Sequence, residues 1–192
     1  MARSKEFEDN EVLEKAMKLF WEQGYEKTSI SDLVEHMGIH RRSLYDTFGD
    51  KHTLFLKALD RFHDKLCDGL VGEVKRSKTA TEALQLIFSS VICSVNDSPS
   101  GCLMVNSAVE LAMRDTEVDK KTTDLFSLSE QLFKDIIQWG QQSGEFSAEY
   151  SAEDQAEHLH AIYVGIRVMR RTSIRKEKLQ HMADVSIKLL SK

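Results

Sequence analysis

The sequence predicts an all-α protein with a three-helix N-terminal domain followed by a larger helical C-terminal domain. Three observations carry that expectation. The 192 residues include a single proline, whereas sheet-and-loop proteins use proline freely in their turns. Apolar residues recur at steps of three and four nearly throughout. No Thr/Val/Ile alternation of period two stands out, so no sheet is expected.

The elements follow in order. Leu13, Met17, Phe20 and Gly24, with Ala16 and Trp21 beside them, form one face of an amphipathic helix that stops at a C-terminal glycine. Thr28-Ser29 offers an N-cap, and Asp32 stands where a capping box has its acid. Ile30, Leu33, Val34 and Met37 then run in helical register to Gly38. A short third helix is expected from His40 or Arg41 to Thr47. Gly49-Asp50 gives a turn and a cap, and a longer helix from Asp50 to about Val74 carries Leu54, Ala58, Leu59, Phe62 and Leu66. Two short amphipathic helices joined by a tight turn at Gly38 are the sequence form of a helix-turn-helix.

The rest reads as longer helices. Residues 80–96 carry Leu84, Ile87, Phe88, Val91 and Val95, and the polar stretch 96–101 is the clearest break in the chain. Residues 102–113 turn around Leu103, Val105, Val109 and Leu111. A long helix from Asp115 or Thr116 to near Gly144 holds Leu125, Leu128, Leu132, Ile136 and Trp139. Ser151, with Asp154 in a box-like position, starts another through Leu159, Ile162, Tyr163 and Ile166. The last helix uses Leu179, Met182, Ala183, Leu189 and Leu190. The final two helices have apolar positions on more than one side, as a pair facing both a core and a second subunit would.

Composition bounds the function. Hydrophobic residues are 41% and charged residues 30%, an ordinary globular balance. The longest uncharged run, Ala83 to Asn96, is too short to cross a bilayer. The opening MARSKEFEDNE lacks the apolar core of a signal peptide, so a cytoplasmic protein without membrane attachment is expected. Cys67, Cys93 and Cys102 fit no metal spacing and read as free thiols, the first two as core. His158 and His160 are two apart and point to different faces of a helix, a poor metal pair. The basic stretch from Arg167 to Lys178 suits a solvated helix end. There is no P-loop, GxGxxG, GxSxG or HExxH, so no catalytic residue, cofactor or metal is expected. Net charge is −5, and residues 1–60 carry nine Lys and Arg against twelve Asp and Glu. Nucleic-acid binding must therefore come from a local patch.

Such a patch exists. From His36 to Tyr45 there are two arginines and no acid. A recognition helix enters the major groove by its N-terminal part. Arg41 and Arg42, with His40 at the helix start, can reach guanine edges or phosphates. Ser43 can donate to either, and Tyr45 can place its hydroxyl on a phosphate. Thr28 and Ser29, and likewise Lys51 and His52, stand at helix N-termini that favour a phosphate. The stretch from Leu13 to Leu59 resembles the N-terminal domain of the TetR family of bacterial transcriptional repressors. Ala16, Leu19, Phe20, Gly24 and Tyr25 carry the first part, Thr28 to Leu33 the second, and Gly38-Ile39 the third. Ser43 to Phe48 and Asp50 to Phe55 complete it. The resemblance implies DNA contacts from Thr28, Ser43, Tyr45 and Lys51. Arg42 departs from the family, where a small residue is common, and this bears on the target sequence.

The same resemblance implies a DNA-binding domain over residues 1–50 and an effector-binding and dimerisation domain over 51–192. It implies an internal ligand pocket and a homodimer through the last two helices. Phe62, Phe88, Met104, Met113, Trp139, Tyr163 and Met169 can line an apolar cavity, or be plain core. Cys102, Asn106 and Glu110 fall on one helix face, which suggests a polar pocket wall or a buried network. Cys102 stands at a helix N-terminus, where the dipole favours a reactive thiolate; a buried small residue beside Gly101 is the plainer reading. The expected function is a repressor that binds double-stranded operator DNA and is released by an unknown small molecule or by cysteine modification. A helical carrier or enzyme that has lost DNA binding, or a protein-docking module, remain alternatives.

Overall fold

The computed structural model describes residues 2–93 and 101–191. Among these residues every regular element is a helix: α1 (Ala2–Gln23), α2 (Ile30–Met37), α3 (Arg41–Phe48), α4 (Lys51–Arg76), α5 (Ala80–Ile92), α6 (Leu103–Leu111), α7 (Thr116–Ser143), α8 (Ala152–Met169) and α9 (Lys176–Lys188). The expected polar break at 96–100, and the expected end of the fifth helix at Val95 and Asn96, lie outside the described residues. α5 is followed as far as Ile92.

Local chemistry sets the ends. α1 stops at Gly24, whose φ of 85° suits a residue without Cβ. α2 opens on a complete capping box: Asp32 N–H donates to Ser29 Oγ at 3.1 Å, and Ser29 N–H donates to Asp32 Oδ2 at 2.8 Å. It closes on Gly38, whose N–H reaches the Val34 and Glu35 carbonyls. Asp50 Oδ1 accepts the Thr53 N–H at 2.7 Å and caps α4. Ser151 caps α8 by accepting from the Asp154 N–H at 3.1 Å. α5 has a long-range cap that periodicity does not show. Glu145 accepts the N–H groups of Ala80 and Thr81 at 3.0 and 3.1 Å. Burial works against the Glu145 carboxylate, but these amides and the Thr81 and Ser143 hydroxyls outweigh it and hold the carboxyl below its ordinary range.

The chain folds into two compact units. One comprises Met1–Leu66 and Cys102–Thr122, the other Cys67–Gly101 and Thr123–Lys192. The chain passes between them within α4, ahead of α6 and within α7. In contact terms, α6 and the start of α7 therefore group with the three N-terminal helices.

In the first unit α1 packs on α2 and α6, and α2 packs on α3. Met17, Phe20, Leu33, Met37, Leu44, Leu54, Phe55 and Leu59 are buried there, and the Phe20 and Phe55 rings meet edge to face at 5.0 Å. In the second unit α5, α8 and α9 pack together. The core there holds Leu84, Phe88, Phe133, Ile137, Leu159 and Tyr163. Three sequence expectations are corrected. Met113, expected in a cavity, is 97% exposed. Val109 is exposed with it, because α6 buries Leu103, Met104, Val105, Ser107 and Leu111 instead. Cys93 is exposed at the C-terminal end of α5 and Cys67 is only partly buried, so neither is core.

Gly140 marks a close approach. A Cβ there would fall 2.1 Å from a ring carbon of the fully buried Phe146. Gly140→Ala is expected to cost about 1–3 kcal/mol of unfolding free energy by overpacking. Urea denaturation at fixed protein concentration measures it, and an unchanged midpoint would show that the Phe146 ring moves aside freely.

Candidate nucleic-acid interface

α3 is amphipathic in a way that leaves one face unused by the fold. Leu44 and Phe48 are buried, while His40, Arg41, Arg42, Ser43 and Tyr45 are exposed. The helix has no acid in its first turn, and His40 makes no side-chain capping bond. Its first N–H groups therefore keep their donor capacity and the positive end of the helix dipole. Arg41 Nη2 donates to Tyr45 Oη at 3.4 Å, and its guanidinium lies 5.8 Å from the Tyr45 ring centroid. This loose stack fans the arginine along the exposed face. Arg42 pairs with Asp46 at 3.6 Å across one helical turn. Both partners are strongly exposed, and such a pair is worth little, so Arg42 can exchange it for a phosphate. Ser43 lies on a groove with Met37, Gly38 and Ile39 of the turn and Val12 and Lys15 of α1.

The flanking candidates separate. Ser29 is exposed at the start of α2, and its hydroxyl hydrogen is still available after Oγ has accepted from Asp32. Thr28 is corrected: it is fully buried, and Oγ1 donates to the Gly24 carbonyl at 2.6 Å. Its side chain closes the α1–α2 turn and presents nothing to a phosphate. Lys51 lies with Nζ 4.2 Å from the Tyr25 ring centroid. Burial draws its pKa down, while Glu26, Glu110 and Asp32 oppose that. His52 is also corrected. Nε2 is 2.7 Å from Asp115 Oδ2 and Nδ1 is 3.5 Å from Glu117. The imidazole is engaged by α7 rather than offered outward.

The sequence had marked Asp115 only as a helix start. Its Oδ1 accepts the N–H groups of Glu117 and Val118 at 3.1 and 3.0 Å, so one carboxylate caps α7 and holds His52. Burial would raise its pKa; the Val118 amide, His52 and the Glu117 amide together leave it below the ordinary value. A carboxyl depressed in this way lends stability that is present above its unfolded pKa and lost as pH falls through its folded one.

The seven effector candidates are not gathered in either unit. Phe62, Cys102, Asn106 and Glu110 belong to the first unit and Phe88, Trp139 and Tyr163 to the second. Phe62 is buried edge to face against Trp21 at 4.8 Å. Cys102 is buried, and Asn106 is partly buried. Glu110 is corrected from pocket wall to clamp: its carboxylate accepts the Tyr25 N–H at 3.0 Å and the Glu26 N–H at 2.9 Å. The other expectation for this face, a buried network, describes it better. Phe88 and Tyr163 meet edge to face at 5.7 Å inside the second core. Trp139 is corrected as well. It is 36% exposed, because α7 turns Phe133, Ile136, Ile137 and Gly140 inward.

Comparison with known proteins agrees with this geometry. Residues 12–58 match a family described as bacterial regulatory proteins, tetR family. Residues 80–185 match a tetracyclin repressor-like C-terminal domain. The HTH-type transcriptional repressor ComR of Escherichia coli (strain K12) is 30% identical over 190 residues, covering 97% of this chain and 90% of that protein. The uncharacterized HTH-type transcriptional regulator YezE of Bacillus subtilis (strain 168) is 29% identical, covering 99% and 100%. A cysteine mutant of the regulator CifR, solved with 26-bp double-strand operator DNA, superposes with a TM-score of 0.84. It is 25% identical over 94% of this chain and 95% of that one.

Proposed function

The chain belongs to the TetR family of bacterial regulatory proteins and is a DNA-binding transcriptional regulator, not an enzyme, and from that premise we propose that it is a cytoplasmic repressor working as a homodimer. The observation that carries the DNA-reading part is the exposed, acid-free, uncapped first turn of α3. In this proposal His40, Arg41, Arg42 and Ser43 read or grip the major groove, and Tyr45, Ser29 and Lys51 hold phosphates. The similarity to an operator-bound regulator supports it.

The dimer forms through α8 and α9. Val168, Val185 and Leu189 are exposed apolar residues on or just after these helices, and burying them against a second copy would remove an unfavourable surface. Two copies then present two α3 helices to successive major grooves, about 34 Å apart. A small molecule bound in the C-terminal half releases the operator. Burial of Cys102 favours this over modification of that thiol as the trigger.

The test is fluorescence anisotropy on DNA from upstream of its own gene, at two salt concentrations with excess competitor DNA. Saturable binding that survives competitor and weakens with salt is expected. If no genomic fragment is bound above competitor, with or without reductant, the regulator reading falls.

A further inference from the structure

Two carboxylates of one segment hold the helices on either side of the reading motif. Glu110, on α6, takes the N–H groups of Tyr25 and Glu26. These amides lie in the turn between α1 and α2. Asp115, between α6 and α7, takes His52 in the first turn of α4. Lys121 on α7 pairs with Asp60 on α4 and extends this second hold. Everything between the two holds is α2, the turn at Gly38, and α3.

The first hold is tightly fitted. Gly24, with φ 85°, faces the Glu110 carboxylate so closely that a Cβ would lie 2.9 and 3.0 Å from its two oxygens. Hydrogen bonds from backbone N–H to a carboxylate are stronger than neutral ones. A two-oxygen grip also fixes the direction of the turn, whereas a single bond would leave it free to pivot. The segment that grips, Cys102–Thr122, groups with the DNA-reading helices, and the chain enters and leaves it from the other unit.

We propose that Glu110 is a positioning residue for operator reading, fixing the α1–α2 turn and through it the angle at which α2 and α3 meet the groove. This role rests on the DNA-binding reading above and not on effector release. Glu110 touches no DNA. It acts through the amides of Tyr25 and Glu26.

Glu110→Gln tests this. The amide keeps the shape but replaces one acceptor oxygen with an NH2 that meets a backbone N–H, so one of the two bonds is lost. The full-length wild type first enriches a duplex from a randomised library, and binding is then measured on that duplex and on a scrambled one of equal length. Affinity for the enriched duplex is expected to fall about tenfold, with the scrambled duplex unchanged. Amide hydrogen exchange at Tyr25 and Glu26 is expected to speed up. A general folding defect would weaken both duplexes together, and that result, or unchanged discrimination, overturns the proposal. Should the Gln variant not fold, the same readouts on Glu110→Asp, which keeps the charge on a shorter arm, decide it. A wild type that enriches no duplex overturns the regulator reading and this role with it. A wild type that reads its duplex no better than Glu110→Gln overturns this role alone.

Discussion

Phe133→Ala is expected to remove about 3–5 kcal/mol of unfolding free energy, the usual range for emptying a buried Phe site. Phe133 is 1% exposed and stands where three other rings converge. Tyr163 is 5.3 Å away, Phe88 6.0 Å and His160 6.2 Å, centroid to centroid. Each such pair adds about 0.5–1.5 kcal/mol beyond simple burial. The neighbours come from α5 and α8, packed against Phe133 of α7, so no single side chain can swing in to fill the space without unpacking two helices. His160 sharpens the effect. Burial first, and the Arg167 charge second, push its pKa below the usual imidazole range. It is therefore stable as the neutral ring, and stability is lost as pH falls below its unfolded pKa, where an unfolded imidazole charges and the buried one resists. A cavity beside it that admits water would weaken that resistance. Urea denaturation at one protomer concentration measures the loss, since the stability of the proposed homodimer would depend on concentration. Phe133→Leu, which refills much of the volume, should recover most of it. A loss under about 1.5 kcal/mol for the Ala variant would mean that the four rings do not act as one packed unit.

What could be read from the sequence was what depends on near neighbours. The capping box at Ser29 and Asp32 spans three residues, and the stops at Gly24 and Gly38 need only a left-handed φ at a known place. The short helix expected from His40 or Arg41 to Thr47 is α3, Arg41–Phe48. What could not be read joins residues far apart in the chain. Periodicity put Glu110 on a polar face with Asn106 and Cys102, but not that its partners are two amides at residues 25 and 26. His52 looked free because Asp115 is distant in sequence. Thr28 looked like a cap, and its hydroxyl turned back to Gly24 instead. Trp139 looked like core because aromatic residues usually are, yet α7 already has a full inner row without it. In each case the helix was legible and the choice of partner was not, because a helical pattern specifies a face and leaves its opposite number open.

Arg41→Ala is expected to give the largest functional loss in the chain without touching the fold. A bidentate arginine–guanine contact is worth about 1–3 kcal/mol. In the proposed homodimer every substitution counts twice, so operator binding should weaken by about 2–6 kcal/mol, or about thirtyfold at the least. The arginine is exposed, and among the described residues its hydrogen bond is to Tyr45 Oη at 3.4 Å. Removing it should leave thermal stability within about 0.5 kcal/mol. The size of the loss alone does not say what Arg41 touches, but its pattern does. Contact with a base edge predicts that discrimination between operator and scrambled duplex collapses while the salt dependence is nearly kept. Contact with a phosphate predicts that both duplexes weaken together and that the salt slope drops by about one for each arginine lost. Arg42→Ala makes the comparison, because Arg42 has Asp46 as a competing partner at 3.6 Å and should cost less. An Arg41→Ala protein that binds the enriched duplex as well as wild type would remove Arg41 as a reading residue. The exposed His40, Arg42, Ser43 and Tyr45 would then be left to explain the discrimination.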